Sequence, residues 1–395
     1  TLRSEIAYEI EKLRARHSVR LGTSARARHR PGLVGLGEVL ALDFPTWVSF
    51  PTGYRGRLTF TATPVLLDAG SVDLEGELVG ERFGTSGIDL SPLERVGAFP
   101  QDATGIELSL SEEIGPLRFQ LGVTPLGFPR QHLVGGLTWN ESFGALGLRI
   151  EGYRKAVTES LLSWAGATDV ATEALWGGVT RNGGRLDLGV TVDNVIWYLV
   201  GGGNYFLGER VQPNWSIEGG TGLVVKVYDW EGFSFRTGLD LTTQFFDQNL
   251  RHFTFGHGGY FSPQALVAAS FPLHLAETSG PLTYDLRVGL GLVWFEEEAA
   301  PYYPTDPERQ AAREELIGPD DEAAEGFHPG QEGLSFAFNL DGELAYALSG
   351  GLSLGVRASI HTGLDFEEYQ GSLFLSYAFQ RKVESPRDRP PLGRR

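Results

Sequence analysis

Phe233-Ser234-Phe235-Arg236-Thr237-Gly238-Leu239-Asp240-Leu241-Thr242-Thr243-Gln244-Phe245 alternates along its whole length. Phe233, Phe235, Thr237, Leu239, Leu241, Thr243 and Phe245 fall on one face, and Ser234, Arg236, Gly238, Asp240, Thr242 and Gln244 on the other. Period two is the signature of a β-strand with unlike faces. Strands of soluble sandwiches usually run about five or six residues, and this one is about twice as long. Segments 282–294, 334–346 and 352–361 repeat the pattern, for instance Leu282, Tyr284, Leu286, Val288, Leu290, Leu292 and Trp294 against Thr283, Asp285 and Arg287. Long alternating strands with one apolar and one polar face are what a transmembrane β-barrel requires, with lipid outside and water inside.

Extended along the chain, this reading predicts sixteen strands, near 19–30, 36–49, 56–69, 104–111, 117–128, 132–142, 147–157, 176–192, 195–207, 214–228, 232–246, 264–276, 281–296, 332–347, 351–362 and 367–379. The short links (51–55, 111–116, 143–146, 229–231, 277–280 and 349–350) all follow even-numbered strands. The long ones (70–103, 158–175, 247–263 and 297–331) all follow odd-numbered strands. Outer-membrane barrels sort their links in this way, with short turns on the periplasmic side and long loops outside. An even strand count then places both termini in the periplasm. The fold class expected is all-β: a sixteen-stranded antiparallel transmembrane β-barrel over 18–379. A short amphipathic helix precedes it over 1–17, where Leu2, Ile6, Ile10 and Leu13 have helical spacing; this helix either connects to something upstream or packs on the barrel base. A disordered basic tail follows over 380–395.

Composition agrees with this and removes several chemistries. The 395 residues include 53 Gly, 24 Phe, 13 Tyr and 8 Trp, but no Cys and no Met. Disulfides, thiolate metal sites and cysteine nucleophiles are excluded. The missing Met implies a processed or excised segment. Net charge is −17, yet residues 1–30 carry +5 and 380–395 carry +4, so the stretch between carries −26. An acidic body argues against nucleic acid as a partner. The densest apolar stretch, 195–200, is too short to cross a bilayer as a helix.

Sixteen strands enclose an aqueous lumen, so transport is the function to expect. The inferred lumen face holds both signs of charge, Arg236 and Asp240 among them. A strongly ion-selective pore would show one sign. The mixture suits a neutral, hydroxyl-rich solute, or else charges that pair across strands and keep the lumen wet. Link 247–263 is the densest cluster of rings and polar groups, with Asp247, Asn249, Arg251, His252, Phe253, Phe255, His257, Tyr260 and Phe261. Such residues can pack on sugar rings and hold their hydroxyls, although single rings also serve as interface girdles or loop packing.

Here the residues resemble a family. Phe255-Gly256-His257-Gly258-Gly259-Tyr260-Phe261-Ser262-Pro263-Gln264, preceded by Asp247-Gln248-Asn249-Leu250-Arg251, is similar to the C-terminal domain of bacterial cellulose synthase operon protein C, the outer-membrane cellulose export porin. Thr63-Pro64-Val65, Thr124-Pro125-Leu126-Gly127-Phe128, Ser160-Leu161-Leu162-Ser163-Trp164-Ala165-Gly166, Trp176-Gly177-Gly178-Val179 and Ala300-Pro301-Tyr302-Tyr303-Pro304 match in the family's order, and the resemblance runs from about residue 4 to 379. It implies a barrel in the outer membrane of a Gram-negative bacterium, among lipid and lipopolysaccharide, passing a β-1,4-glucan (cellulose) chain from periplasm to surface. The partners it implies are an upstream periplasmic scaffold of tetratricopeptide repeats and an inner-membrane cellulose synthase. No 34-residue repeat occurs in this sequence, so the chain corresponds to the barrel portion.

The candidate pathway and gate residues are His257, Tyr260 and Gln264 on the link between strands 11 and 12, with Asp247, Asn249 and Arg251. Trp164, Tyr302 and Tyr303 join them from neighbouring loops, and Arg236 and Asp240 from the lumen wall. Gly256, Gly258 and Gly259 are expected to permit a tight backbone fold rather than to touch sugar. No catalytic residue, metal or cofactor is expected. A hydrolase triad of His257, Ser262 and Asp247 lacks any nucleophile-elbow context, and His252 with His257 lacks a third metal ligand at telling spacing. The closer rival is a general or other-solute diffusion porin. The stretch 296–325, with eleven acidic and two basic residues, reads as a solvated outer loop.

Overall fold

The computed structural model describes residues 18–379 apart from 54, 92, 231, 317–325, 349–350 and 364–365. The expected helix at 1–17 and tail at 380–395 lie outside the described residues. Sixteen antiparallel strands form a closed barrel. They are β1 (Arg20–Arg30), β2 in two pieces (Val39–Asp43 and Thr46–Thr52), β3 (Gly56–Asp73), β4 (Ala98–Ile114), β5 (Leu117–Leu126), β6 (Leu133–Phe143), β7 (Leu146–Ala156) and β8 (Leu175–Val192). The second half comprises β9 (Val195–Glu209), β10 (Asn214–Trp230), β11 (Phe233–Phe246), β12 (Ala265–Ser279), β13 (Leu282–Glu297), β14 (Gln331–Ala347), β15 (Leu352–Gly363) and β16 (Phe366–Ala378). Each strand pairs with its sequence neighbour. The ring closes where β1 runs antiparallel to β16, from Arg20↔Ala378 to His29↔Tyr369.

The alternation maps onto the wall as the sequence implies. Leu239 and Leu241 of β11, Leu334 and Phe336 of β14 and Leu373 of β16 are exposed, Phe336 at 69%. In water such a surface would be an aggregation hazard; around a barrel it is the lipid-facing band. The opposite faces carry Arg236, Asp240, Arg287, Asp341 and Arg357 into the lumen. The short-turn end is made by tight links such as those at Gly115 and Gly280, both at φ 58° with open space around them. Glycine adopts that left-handed conformation without Cβ strain. Since β1 enters and β16 leaves at this end, both ends of the described chain lie there.

Several strand boundaries shift by a few residues from expectation, and two of the differences have a clear physical cause. The second strand is interrupted at Phe44-Pro45, where Phe44 donates its N–H to Pro64 O at 3.0 Å and Pro45 accepts from Ser24 N–H at 3.0 Å; proline cannot donate to a ladder. The fourth strand starts at Ala98 rather than 104, because Ala98, Phe99 and Pro100 pair with Asp73, Val72 and Ser71 beyond a register shift.

A plug at the long-loop mouth as the candidate functional site

Four long loops fold into the barrel and meet. They are 74–97, with the short helices α1 (Glu77–Gly80) and α2 (Ser86–Asp89); 157–174, with α3 (Leu161–Trp164); 247–264; and 298–330, with α4 (Pro307–Leu316). Phe83, Leu162, Trp176, Leu250 and Tyr260 are all nearly inaccessible and belong to one apolar cluster that includes Phe206 and Phe246 of the barrel wall. Fully burying a large apolar side chain contributes roughly 1.5–3 kcal/mol, so these loops are held to one another and to the wall by a hydrophobic core at this end.

Sequence explains why each loop turns inward. Ser160 caps α3, accepting from Ser163 N–H at 3.0 Å, while Ser163 Oγ accepts from Ser160 N–H at 2.9 Å; this fixes the turn that buries Leu161 to Trp164. In 247–264, Gly256 and Gly259 hold φ of 102° and 65°. A Cβ on Gly259 would come within 2.7 Å of Ser160 Oγ. Their role here is backbone conformation and close packing. Loop 247–264 also forms a parallel bridge to loop 74–97, with Gly84 N–H on Phe253 O at 2.9 Å and Phe255 N–H on Gly84 O at 3.0 Å. Asp169 ties loop 157–174 to the same place by accepting from Thr85 N–H and Thr85 Oγ, each at 2.8 Å.

Most of the sequence-chosen residues meet here. Tyr260 stacks on Phe206 at 5.1 Å and 12°. His257 Nε2 lies 2.8 Å from Pro301 O. Trp164 meets Phe128 edge-on at 5.7 Å and carries the Arg28 guanidinium at 5.3 Å. Gln264 accepts from Glu298 N–H at 2.8 Å, and Asn249 donates to Glu298 O at 3.0 Å. Tyr303 is 1% exposed, and its N–H donates to Gln310 Oε1 at 3.0 Å. Asp247 sits at the edge of the plug with an exposed side chain. Arg236 and Asp240 are not part of the plug; they face the lumen lower down β11. Ser262 Oγ is engaged by Leu250 N–H at 2.7 Å and by Tyr260 O at 3.3 Å, so Ser262, His257 and Asp247 do not form a relay.

One group escaped sequence reasoning. His328, next to the stretch 317–325, stacks between His252 at 3.7 Å and Tyr302 at 3.9 Å, with His257 edge-on to both imidazoles and Arg313 covering Tyr302 at 4.6 Å. The rings stack rather than converge their nitrogens on a point; among the described residues no group of three or more His, Asp or Glu could hold a metal ion. Burial holds His257 down to about 4. Burial, reinforced by the neighbouring imidazoles and by Arg82, Arg251 and Arg313, holds His252 and His328 far below the usual imidazole range. Burial also raises the Tyr260 and Tyr303 phenols.

The plug is latched to the wall by Glu297 at the end of β13. Its side chain is 0% exposed, and one oxygen accepts from Arg251 Nη1 and from Gln331 Nε2, each at 2.6 Å. Removing one member of a buried ion pair leaves the other uncompensated. Glu297→Ala should therefore loosen loop 247–264 by roughly 2–3 kcal/mol, reduced because Arg251 is part-exposed. Hydrogen exchange of the 249–262 amides would show faster opening; unchanged protection would remove Glu297 from the latch.

The family model described as cellulose synthase operon protein C C-terminus matches residues 38–380. The chain belongs to this family. It is 34% identical over 295 residues to cellulose synthase operon protein C of Xanthomonas axonopodis pv. citri (strain 306), covering 71% of this chain and 19% of that protein. It is 32% identical over 372 residues to cellulose synthase 2 operon protein C of Komagataeibacter xylinus, covering 93% and 28%. The chain thus spans only about a fifth to a quarter of these relatives. A solved structure described as a bacterial polysaccharide outer membrane secretin shares the fold, with TM-score 0.55 at 9% identity over 92% of this chain and 99% of that one. The family match and the lipid-facing barrel agree on an outer-membrane protein.

Below the plug, the lumen charges of this family member resolve into pairs. Arg149 and Lys155 meet Glu151 at 2.7 and 2.6 Å, Arg181 meets Glu218 at 2.7 Å, and Arg357 meets Glu343 at 2.6 Å. Of the two readings left open by sequence, mutual pairing is what the wall displays, both within strands and between them.

Proposed function

We propose that this barrel is the outer-membrane conduit for a β-1,4-glucan made at an inner-membrane synthase, with the short-turn end and both termini in the periplasm and the plug at the cell surface. The observation that carries the reading is the asymmetry of the lumen in a member of this family. Paired charges of both signs line the wall, while among the described residues an apolar core packs the long-loop mouth. A neutral polymer pushed from behind needs a hydrated path of weak contacts and a mouth that excludes other solutes when idle. The pathway and gate roles of His257, Tyr260, Gln264, Asn249, Arg251, Trp164, Tyr302 and Tyr303 follow from their places in the stopper. A scaffold of repeats preceding the barrel would join it to the synthase. A diffusion porin fits less well, because its mouth must stay open to solutes, whereas an apolar core occupies this one. Deleting the protein should abolish surface cellulose while glucan synthesis at the inner membrane continues; undiminished surface cellulose would overturn the assignment.

A further inference from the structure

The wall of the lumen is thinned at one place, well away from the plug. The ladder between β11 and β12 runs to Thr237↔Leu273 and resumes at Asp240↔Ser270, skipping Gly238 and Pro272. Pro272 has no N–H to donate, and Gly289 stands opposite it on β13. With small residues facing inward at this level, the wall is recessed by a cavity of about 400 Å³, at the lower end of the size range of small-molecule sites. Its floor is apolar, from Ile196, Val224 and Pro272, and Arg236, Asp240 and Asn339 stand on its rim.

The rim is unlike the rest of the lumen in one respect. Asp240 accepts from the Tyr198 hydroxyl, and Arg287 is committed to Asp285 at 3.0 Å. Arg236 has a buried Nε–H with no partner among the described residues. Its direct cross-strand neighbours are Lys226 and His274, which offer no negative charge. A desolvated donor without an acceptor is costly, so this guanidinium is poised for an acceptor the protein does not supply.

We propose that this recess is a saccharide subsite in the lumen wall, binding a neutral pyranose whose C–H face lies on the Val224 and Pro272 floor while Arg236 donates to its hydroxyl oxygens. The proposal rests on the export reading and deepens it: the conduit holds its glucan at a station partway along, rather than at the mouth alone. One charged hydrogen bond and a small apolar floor make a weak site, as processive passage requires.

Titration of cellotetraose into the purified full chain in detergent tests it, with the short-turn end as the way in. Wild type should bind, and Arg236→Ala should weaken binding by about tenfold or more, the loss of a charged hydrogen bond. Gly289→Phe should weaken it as much by filling the recess, since a Cβ there meets only Asn339 at 3.5 Å. Arg357→Ala, elsewhere in the lumen, should bind as wild type does. Both recess variants binding cellotetraose unchanged, or wild type binding only an anionic oligosaccharide, would overturn the subsite. Those results would leave export standing if deletion of the protein still removes surface cellulose, and surface cellulose that survives deletion would fail the export reading itself.

Discussion

Excision of residues 248–262 should turn a quiescent barrel into a wide, persistently conducting pore. The segment supplies Leu250 and Tyr260 to the apolar core and the buried His257 beside it, both hydrogen bonds of the Gly84 bridge, and the Arg251 contact with Glu297. Its loss removes an element that touches all three other plug loops: 74–97 through Gly84, 157–174 through Glu159, which accepts from Phe261 N–H at 2.9 Å, and 298–330 through Pro301. With roughly 1.5–3 kcal/mol lost for each large buried side chain removed, the remaining loops lack a core to fold around. The barrel itself should persist, because Phe246 N–H already bonds Pro263 O at 3.0 Å across the base of the loop, so the cut ends are adjacent. Planar bilayers should show long-lived large conductance steps absent from the intact chain, and proteoliposomes should swell in unrelated sugars. Permeability no different from the intact protein would show that the loop does not hold the mouth shut.

Acid should open the same plug without any mutation. His252, His257 and His328 are neutral and buried when the loops are packed, and would titrate near the ordinary value of 6.5 once the loops part. The closed state therefore binds fewer protons than the open one, and its stability falls as pH falls. The full contribution is present above about 6.5 and is lost as pH drops towards about 4. His257 alone is then worth on the order of 3 kcal/mol over that window. The groups facing the stack reinforce the sign: Arg82 from loop 74–97, Arg251 from loop 247–264 and Arg313 from α4 are all cations. The buried carboxylate at hand, Glu297, is already committed to Arg251. Channel openings or protease access to loop 247–264 should rise steeply between pH 6.5 and 4, and His257→Gln should flatten the rise. A plug equally shut at pH 7 and pH 4 would refute the mechanism.

The wall of this protein is written plainly in its sequence, and the stopper is not. Strands such as Phe233–Phe246 declare themselves because one local rule, alternation, is imposed by lipid on one side and water on the other. The sorting of link lengths adds an independent global rule. Neither reaches the loops, where Phe83, Leu161 and Trp164 have no period and look like girdle residues until their neighbours are known. Glycines and rings in 255–264 drew notice because they are dense. His328 did not, since its partners His252 and Tyr302 come from distant parts of two loops and nothing near it in sequence marks it. Alternation alone puts Arg236 and Asp240 on the lumen wall, and the register sets them on a stretch below the mouth. The break at Pro45 was missed because the residues on both sides of it keep the strand pattern.

The seam between β1 and β16 bears on how the molecule is made. Its ten paired positions join the beginning of the barrel to its end, so the cylinder has no closed intermediate. Until the last strand arrives, every partial product carries two bare edges, each a row of unpaired amides and carbonyls primed to capture a stray strand. Contacts between such remote residues form slowly, because the loop must be closed before they repay its entropy. Survival of the nascent chain thus depends on something lending those two edges a temporary partner, and a lesion in either terminal strand would be felt as failed biogenesis before it was felt as failed transport.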